Sequence, residues 1–136
     1  KADGARSRLV KAPAAYEPLI PAFTNIVVPI ASAQILGQHL ATSIAHRPEL
    51  LSKIMGIDVG DRILPMHLAQ LLSSDMGSLK NAGNARVCPI LNMVDNSDTL
   101  TLAIETARIA LTLTKRFDQI ILAEMRHSRI VEIISR

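Results

Sequence analysis

Two short strings in this chain have residue types and spacing suited to nucleotide chemistry: Asp3-Gly4 near the start and Asn92-Met93-Val94-Asp95 much later. An acidic residue followed by glycine at the exit of a parallel strand sets a carboxylate near magnesium and a backbone amide near a phosphate. Asp3 is therefore the candidate metal ligand, directly or through water, with Gly4 as its companion; alone, such a pair more often marks an ordinary turn. Asn92 to Asp95 has the spacing of the guanine-reading Asn-Lys-x-Asp motif, in which the carboxylate of Asp95 would accept both base-edge donors while Asn92 braces the loop. Met93 stands where the lysine would be, supplying an apolar stem without the charge. The alternative, compatible with the first, is that Asp95, Asn96, Ser97 and Asp98 cap the helix that follows.

Around these strings sit charges with two readings each. Lys1, Arg6, Arg8 and Lys11 cluster beside Asp3-Gly4, either as a solvated arm or as a basic rim around an anion. Lys11 and Glu17 fit a salt-bridged surface loop. His46-Arg47 precedes a proline that suits a helix start, where the arginine can reach a phosphate or a partner carboxylate and the histidine can serve as a hinge. Lys80, after Gly77-Ser78-Leu79, either closes over an anion or stays in solvent.

The string Ala2-Asp3-Gly4-Ala5-Arg6-Ser7-Arg8-Leu9-Val10-Lys11-Ala12-Pro13, followed by Glu17-Pro18-Leu19-Ile20-Pro21, resembles the YqeC family, accessory proteins of selenium-dependent molybdenum hydroxylases. The likeness continues at His46-Arg47-Pro48-Glu49-Leu50, Gly77-Ser78-Leu79-Lys80 and Leu91-Asn92-Met93-Val94-Asp95, in the family's order. Members look like P-loop NTPases with a glycine-rich phosphate loop ahead of the Asp-Gly segment. The resemblance implies a nucleotide site of Asp3, Gly4, Asn92 and Asp95, bordered by Arg6, Lys11, Glu17, His46, Arg47 and Lys80. It also implies magnesium with ATP or GTP, and a molybdenum hydroxylase or its cofactor-maturation machinery as partner; catalytic residues stay unassigned.

No G-x-x-x-x-G-K-[ST] occurs in the 136 residues, and the six glycines are too dispersed for a phosphate cradle. The expectation is the C-terminal portion of a P-loop NTPase-like domain, incomplete at its N-terminus, or a shortened relative, with no nucleotide or magnesium unless an upstream loop exists. The alternative is a non-catalytic interaction or oligomerisation module. A lost strand-helix unit would leave an unpaired sheet edge and an uncovered apolar face, which predicts a dimer.

Composition sets the outer limits. With 49% apolar residues and a mean hydropathy of +0.26, the chain reads as one α/β domain over 1–136. The apolar set is Leu, Ile, Val and Ala with 2% aromatics, which suits a parallel sheet sandwiched between helices in three layers. Tyr16, Phe23 and Phe117 are too few to stack single-stranded nucleic acid, and a net charge of +3 without a reading helix or finger argues against duplex binding. Cys88 in an apolar run reads as a core residue. No leader or membrane-spanning stretch is evident, so the cytoplasm is expected. His39, His67 and His127 have no zinc-like spacing.

Pro13, Pro18 and Pro21 exclude regular helix over 12–22. The pattern predicts a strand over Thr24–Ile30 and helices starting at Pro48, with a stop at Gly56, and at Pro65. It further predicts a strand over Val87–Leu91 that Pro89 must kink, shorten or push to an edge. A long helix follows Asn96-Ser97-Asp98, with Leu100, Ala103, Ile104, Ala107, Ala110 and Leu111 at 3.6 spacing. Closing strands fall at Ile120–Met125 and Ile130–Ile134. Right-handed crossovers then imply a parallel or mostly parallel sheet, whose ligands bind at strand carboxyl ends. One crevice holding both Asp3-Gly4 and Asn92 to Asp95 is expected.

Overall fold

The computed structural model describes residues 4–136; Asp3, the candidate metal ligand, and Lys1 of the basic cluster lie outside the described residues. Short β-branched runs and three amphipathic helices alternate in an α/β arrangement. In chain order these are β1 (Val10–Lys11), β2 (Ile26–Val27), β3 (Ile30–Ser32), β4 (Ala45–His46), α1 (Pro48–Met55), α2 (Pro65–Ser73), β5 (Arg86–Val87), β6 (Ile90–Asn92), α3 (Ser97–Leu113), β7 (Gln119–Glu124) and β8 (Arg129–Ser135). The main sheet runs β3-β6-β7-β8. β3, β6 and β7 are parallel, whereas β8 returns antiparallel to β7, so the sheet is mixed. β1 pairs parallel with β4, and one bond from Ser32 N to Leu9 O, 3.3 Å, ties that pair to the end of β3.

The prolines explain the broken strands. β2 pairs with β5 and β3 with β6 in one continuous register, Ile26 opposite Arg86 and Ile30 opposite Ile90, which sets Pro29 beside Pro89. The carbonyls on either side still accept, Cys88 N to Val27 O and Ile90 N to Pro29 O, both 2.9 Å. What is lost is each proline's own donor. The strand carrying Pro89 is therefore short and interrupted, yet central, because Pro89 O still accepts from Ile121 N at 3.0 Å.

α1 and α2 start at Pro48 and Pro65 as the sequence implies, and Gly56 ends α1 in a left-handed conformation, φ 71°, with its N–H on Ser52 O. α3 is capped by Asn96, whose Oδ1 accepts from Thr99 N at 2.9 Å. At its other end Arg136 donates to the carbonyls of Leu111 and Thr114, satisfying groups that a helix leaves orphaned. Leu51, Met55, Leu68, Leu72, Ala103, Ala107 and Ala110 pack with Val87, Leu91, Ile120, Leu122 and Ile134 in one core.

The other face of the sheet is bare. Ile30, Ile90, Ile121 and Ile133 pair across all four strands in a single row, yet Ile30 is 63% and Ile133 48% exposed, and neighbouring Ile26 is 55% exposed. Among the described residues, the three expected layers are thus two. Cys88, expected in the core, is half-buried, because its register beside Val28 places it on this bare face.

Candidate functional site

The loop after β1 folds over one carboxylate. Glu17 Oε2 accepts from Lys11 Nζ at 2.8 Å, Arg47 NH1 at 2.8 Å and Ala14 N at 3.1 Å. These donors, led by Lys11, hold the Glu17 carboxyl at about 2, against an ordinary 4.5. The two ion pairs are largely shielded, with Lys11 11% and Glu17 17% exposed, so this is more than a surface bridge. Lys11 Nζ also reaches Gly4 O at 3.2 Å, and Arg47 NH1 reaches Ala12 O at 3.0 Å. Lys80 neither closes over an open recess nor floats in solvent: it donates to Ala14 O and Ala15 O. Asn81 adds a bond to Pro18 O, 2.9 Å.

Gly77 makes that clamp reachable. A Cβ there would lie 2.5 Å from Leu71 O, so only glycine lets the 77–80 turn lie flat on the end of α2, where Ser78 N bonds Leu71 O at 3.0 Å.

Beside the clamp, the entrance of α1 and the turn after Gly4 flank an open recess of about 240 Å³ lined by Arg6, Arg8, Thr42, His46, Arg47 and Pro48. Arg6, Ser7 and Arg47 all have left-handed backbone, φ 49°, 60° and 62°, a conformation that costs a non-glycine residue roughly 1–2 kcal/mol. Burial lowers the His46 pKa, and Arg47, Arg6 and Lys11 lower it further, against an opposing pull from Glu17. The ring therefore stays neutral at pH 7.

Asn92 and Asp95 form a second group at the carboxyl ends of β6 and β7. Asn92 Oδ1 accepts from Met125 N at 2.9 Å, bracing the loop against the exit of β7. Met93 is left-handed, φ 64°, and its Sδ accepts from Ser32 Oγ. Val94 is buried, with its N–H on Ala123 O. Asp95 is exposed and its Oδ2 accepts from Gln34 Nε2 at 2.7 Å. Asn96 does the capping, so the Asp95 carboxylate stays available at the surface.

The contacts of Gly4, Lys11, Glu17, Arg47 and Lys80 run among the β1 loop and α1, whereas those of Asn92 and Asp95 run to Met125 and Gln34. Asp3, one half of the crevice expected from the sequence, lies outside the described residues; among those described, Ser32 links the two groups, its N–H on Leu9 O and its Oγ on Met93 Sδ. Among those residues no cluster of three or more His, Cys, Asp or Glu side chains suits a metal. Glu17 is neutralised by two cations and fits magnesium poorly. His39 bonds Gly60 O, His67 accepts from Leu64 N, and His127 bonds Glu124.

Sequence reasoning missed Gln34 and Ser32, which join the second group only through the β3–β6 register, and Thr42, which reaches the recess from the loop before β4. It also missed Glu124, whose carboxylate bonds His127 at 2.6 Å and Arg129 at 2.7 Å beside the Asn92 brace and whose pKa His127 lowers most.

A sequence model of the family described as YqeC protein matches residues 1–49 of the 136. No curated protein and no solved structure matches the chain. No helix of the described residues is long and apolar enough to cross a membrane.

Proposed function

We propose that the chain is a nucleotide-binding, NTPase-like accessory protein of the YqeC type. Its role would be the maturation of a selenium-dependent molybdenum hydroxylase in the cytoplasm, on a domain of P-loop NTPase type spanning residues 1–136. One coincidence carries the reading: Arg6, Arg8, Lys11, Glu17, His46 and Arg47, the residues that build the clamp and the recess, all lie within the matched residues 1–49. Three of the six left-handed non-glycine residues among those described fall there too, and backbone strain collects at functional loops. In this reading Asp95 reads a base edge, Asn92 holds its loop, and the basic recess faces phosphate. Asp3 would carry magnesium, which supplies charge neutralisation of the phosphates when bound.

The test is nucleotide affinity. In a chain that carries a phosphate loop ahead of these residues, Asp3→Asn should weaken magnesium-dependent binding of ATP or GTP by about tenfold, and Asp95→Asn should alter the preference between the two. Unchanged affinity and preference in both variants would overturn the reading. The 136 residues themselves should release phosphate from neither nucleotide, since phosphoryl transfer rests on a phosphate loop and its lysine. Turnover near one per second, ordinary for an enzyme, would contradict that.

A second reading, an oligomerising interaction module, is favoured by the row Ile30, Ile90, Ile121 and Ile133. A flat row of β-branched side chains, without charge, matches an identical row on a second copy related by a twofold axis.

A further inference from the structure

We infer that the recess between the Arg6–Arg8 turn and the entrance of α1 is a binding site for a doubly charged phosphate group, with His46 as its proton-coupled floor. The inference rests on the nucleotide reading for turning this recess toward phosphate and deepens it, because nothing in it requires a base and His46 joins the site.

Three arginines line the recess, and the carboxylate bonded to one of them is Glu17, which Lys11 shares. Arg6 and Arg8 are exposed, and among the described residues neither guanidinium has a hydrogen-bond or ion-pair partner, Arg8 being held by its backbone N–H on Ala5 O at 3.0 Å. Arg47 meets Glu17 and Ala12 O through NH1 alone, which leaves the rest of its fork for a second acceptor. A water occupies about 30 Å³, so a recess of about 240 Å³ holds a tetrahedral oxyanion with part of its hydration. Arginine forks suit such oxygens, and the bonds are charge-assisted.

His46 makes the site sensitive to its occupant. Its half-buried ring faces Arg6 from the turn, Lys11 from β1 and Arg47 from the entrance of α1, with Glu17 as the opposing charge from the loop. A phosphate placed among these cations cancels their repulsion, so the ring gains a proton more readily and adds a donor to the anion. Binding and proton uptake are then linked, and each promotes the other.

The probe is inorganic pyrophosphate, which has charge but no base, titrated into the 136-residue chain while His46 ring shifts are followed by NMR across pH 5–8. Saturable binding with an upward move of the His46 pKa is expected. Arg6→Ala/Arg8→Ala should weaken that binding at least tenfold. Lys115→Ala/Arg126→Ala, which removes equal charge from exposed positions elsewhere, should leave it within about twofold. No saturable response at His46, or equal weakening in both double variants, overturns the site. ATP and adenosine in parallel identify the source: ATP competing with pyrophosphate while adenosine does not makes the nucleotide's phosphates the occupant. Pyrophosphate binding that ATP cannot displace makes it a free anion site and leaves the nucleotide reading to its own test. Should ATP bind without any response to pyrophosphate, this site falls while the nucleotide reading stands.

Discussion

Glu17 and Arg47, thirty positions apart, meet at 2.8 Å through the same oxygen that receives Lys11. That shared oxygen fixes the loop after β1 to the entrance of α1, and so sets the wall of the basic recess.

Acid should reveal this bond. The folded pKa of Glu17 is about 2, below its ordinary 4.5, so its stabilisation is complete above about pH 4.5 and is lost as pH falls from there through 2. Glu17→Gln should cost roughly 1.5–3 kcal/mol at neutral pH, the range for a hydrogen bond to a charged group. Its loss of stability between pH 4.5 and 2 should be shallower than that of the unaltered chain. Urea unfolding at a series of pH values measures both; parallel acid limbs would show that Glu17 is not the titrating group.

Gly77 should tolerate no side chain. Gly77→Ala drives a Cβ to 2.5 Å from Leu71 O, and relieving that overlap should cost about 1–3 kcal/mol. The same shift pulls Lys80 from Ala14 and Ala15, so the variant should also loosen residues 14–18 to proteolysis. Stability and cleavage equal to those of the unaltered chain would refute the close approach.

The bare isoleucine row should drive self-association. Sedimentation at micromolar concentration should give a dimer, and Ile30→Asp/Ile133→Asp should give a monomer with unchanged far-UV circular dichroism, since a charge on an apolar contact face opposes pairing. A monomer in the unaltered chain would end the reading of this face as an oligomerising surface.

The helices were legible because each carries several turns of apolar spacing and a visible start: Pro48, Pro65 and the Asn96 cap. β7 and β8 were legible as β-branched runs. β1 and β4 were not, since two residues hold no period, and Val10–Lys11 looks like any loop beside prolines. β2 and β3 appeared as one strand over 24–30, displaced from the observed Ile26–Ser32 because Pro29 blurs the end. At the candidate site the residue types were readable, but their partners were not. That Lys80 would bind two carbonyls rather than an anion depends on Gly77 lying against α2, a packing fact. The second face of the sheet was expected to be covered because parallel strands read as buried on both sides; Ile30, Ile90, Ile121 and Ile133 look the same in sequence whether covered or bare.

Pro29 and Pro89, side by side in adjacent strands, act like a perforation across the sheet. Below it, β2 and β5 contribute two paired residues; above it, β3 and β6 contribute three, ending at Ser32 and Asn92. The loop that carries Asp95 is therefore mounted on a short shelf rather than on a full-length strand. That shelf is paired on its other side with β7, and Asn92 is pinned to Met125 just past the end of that strand.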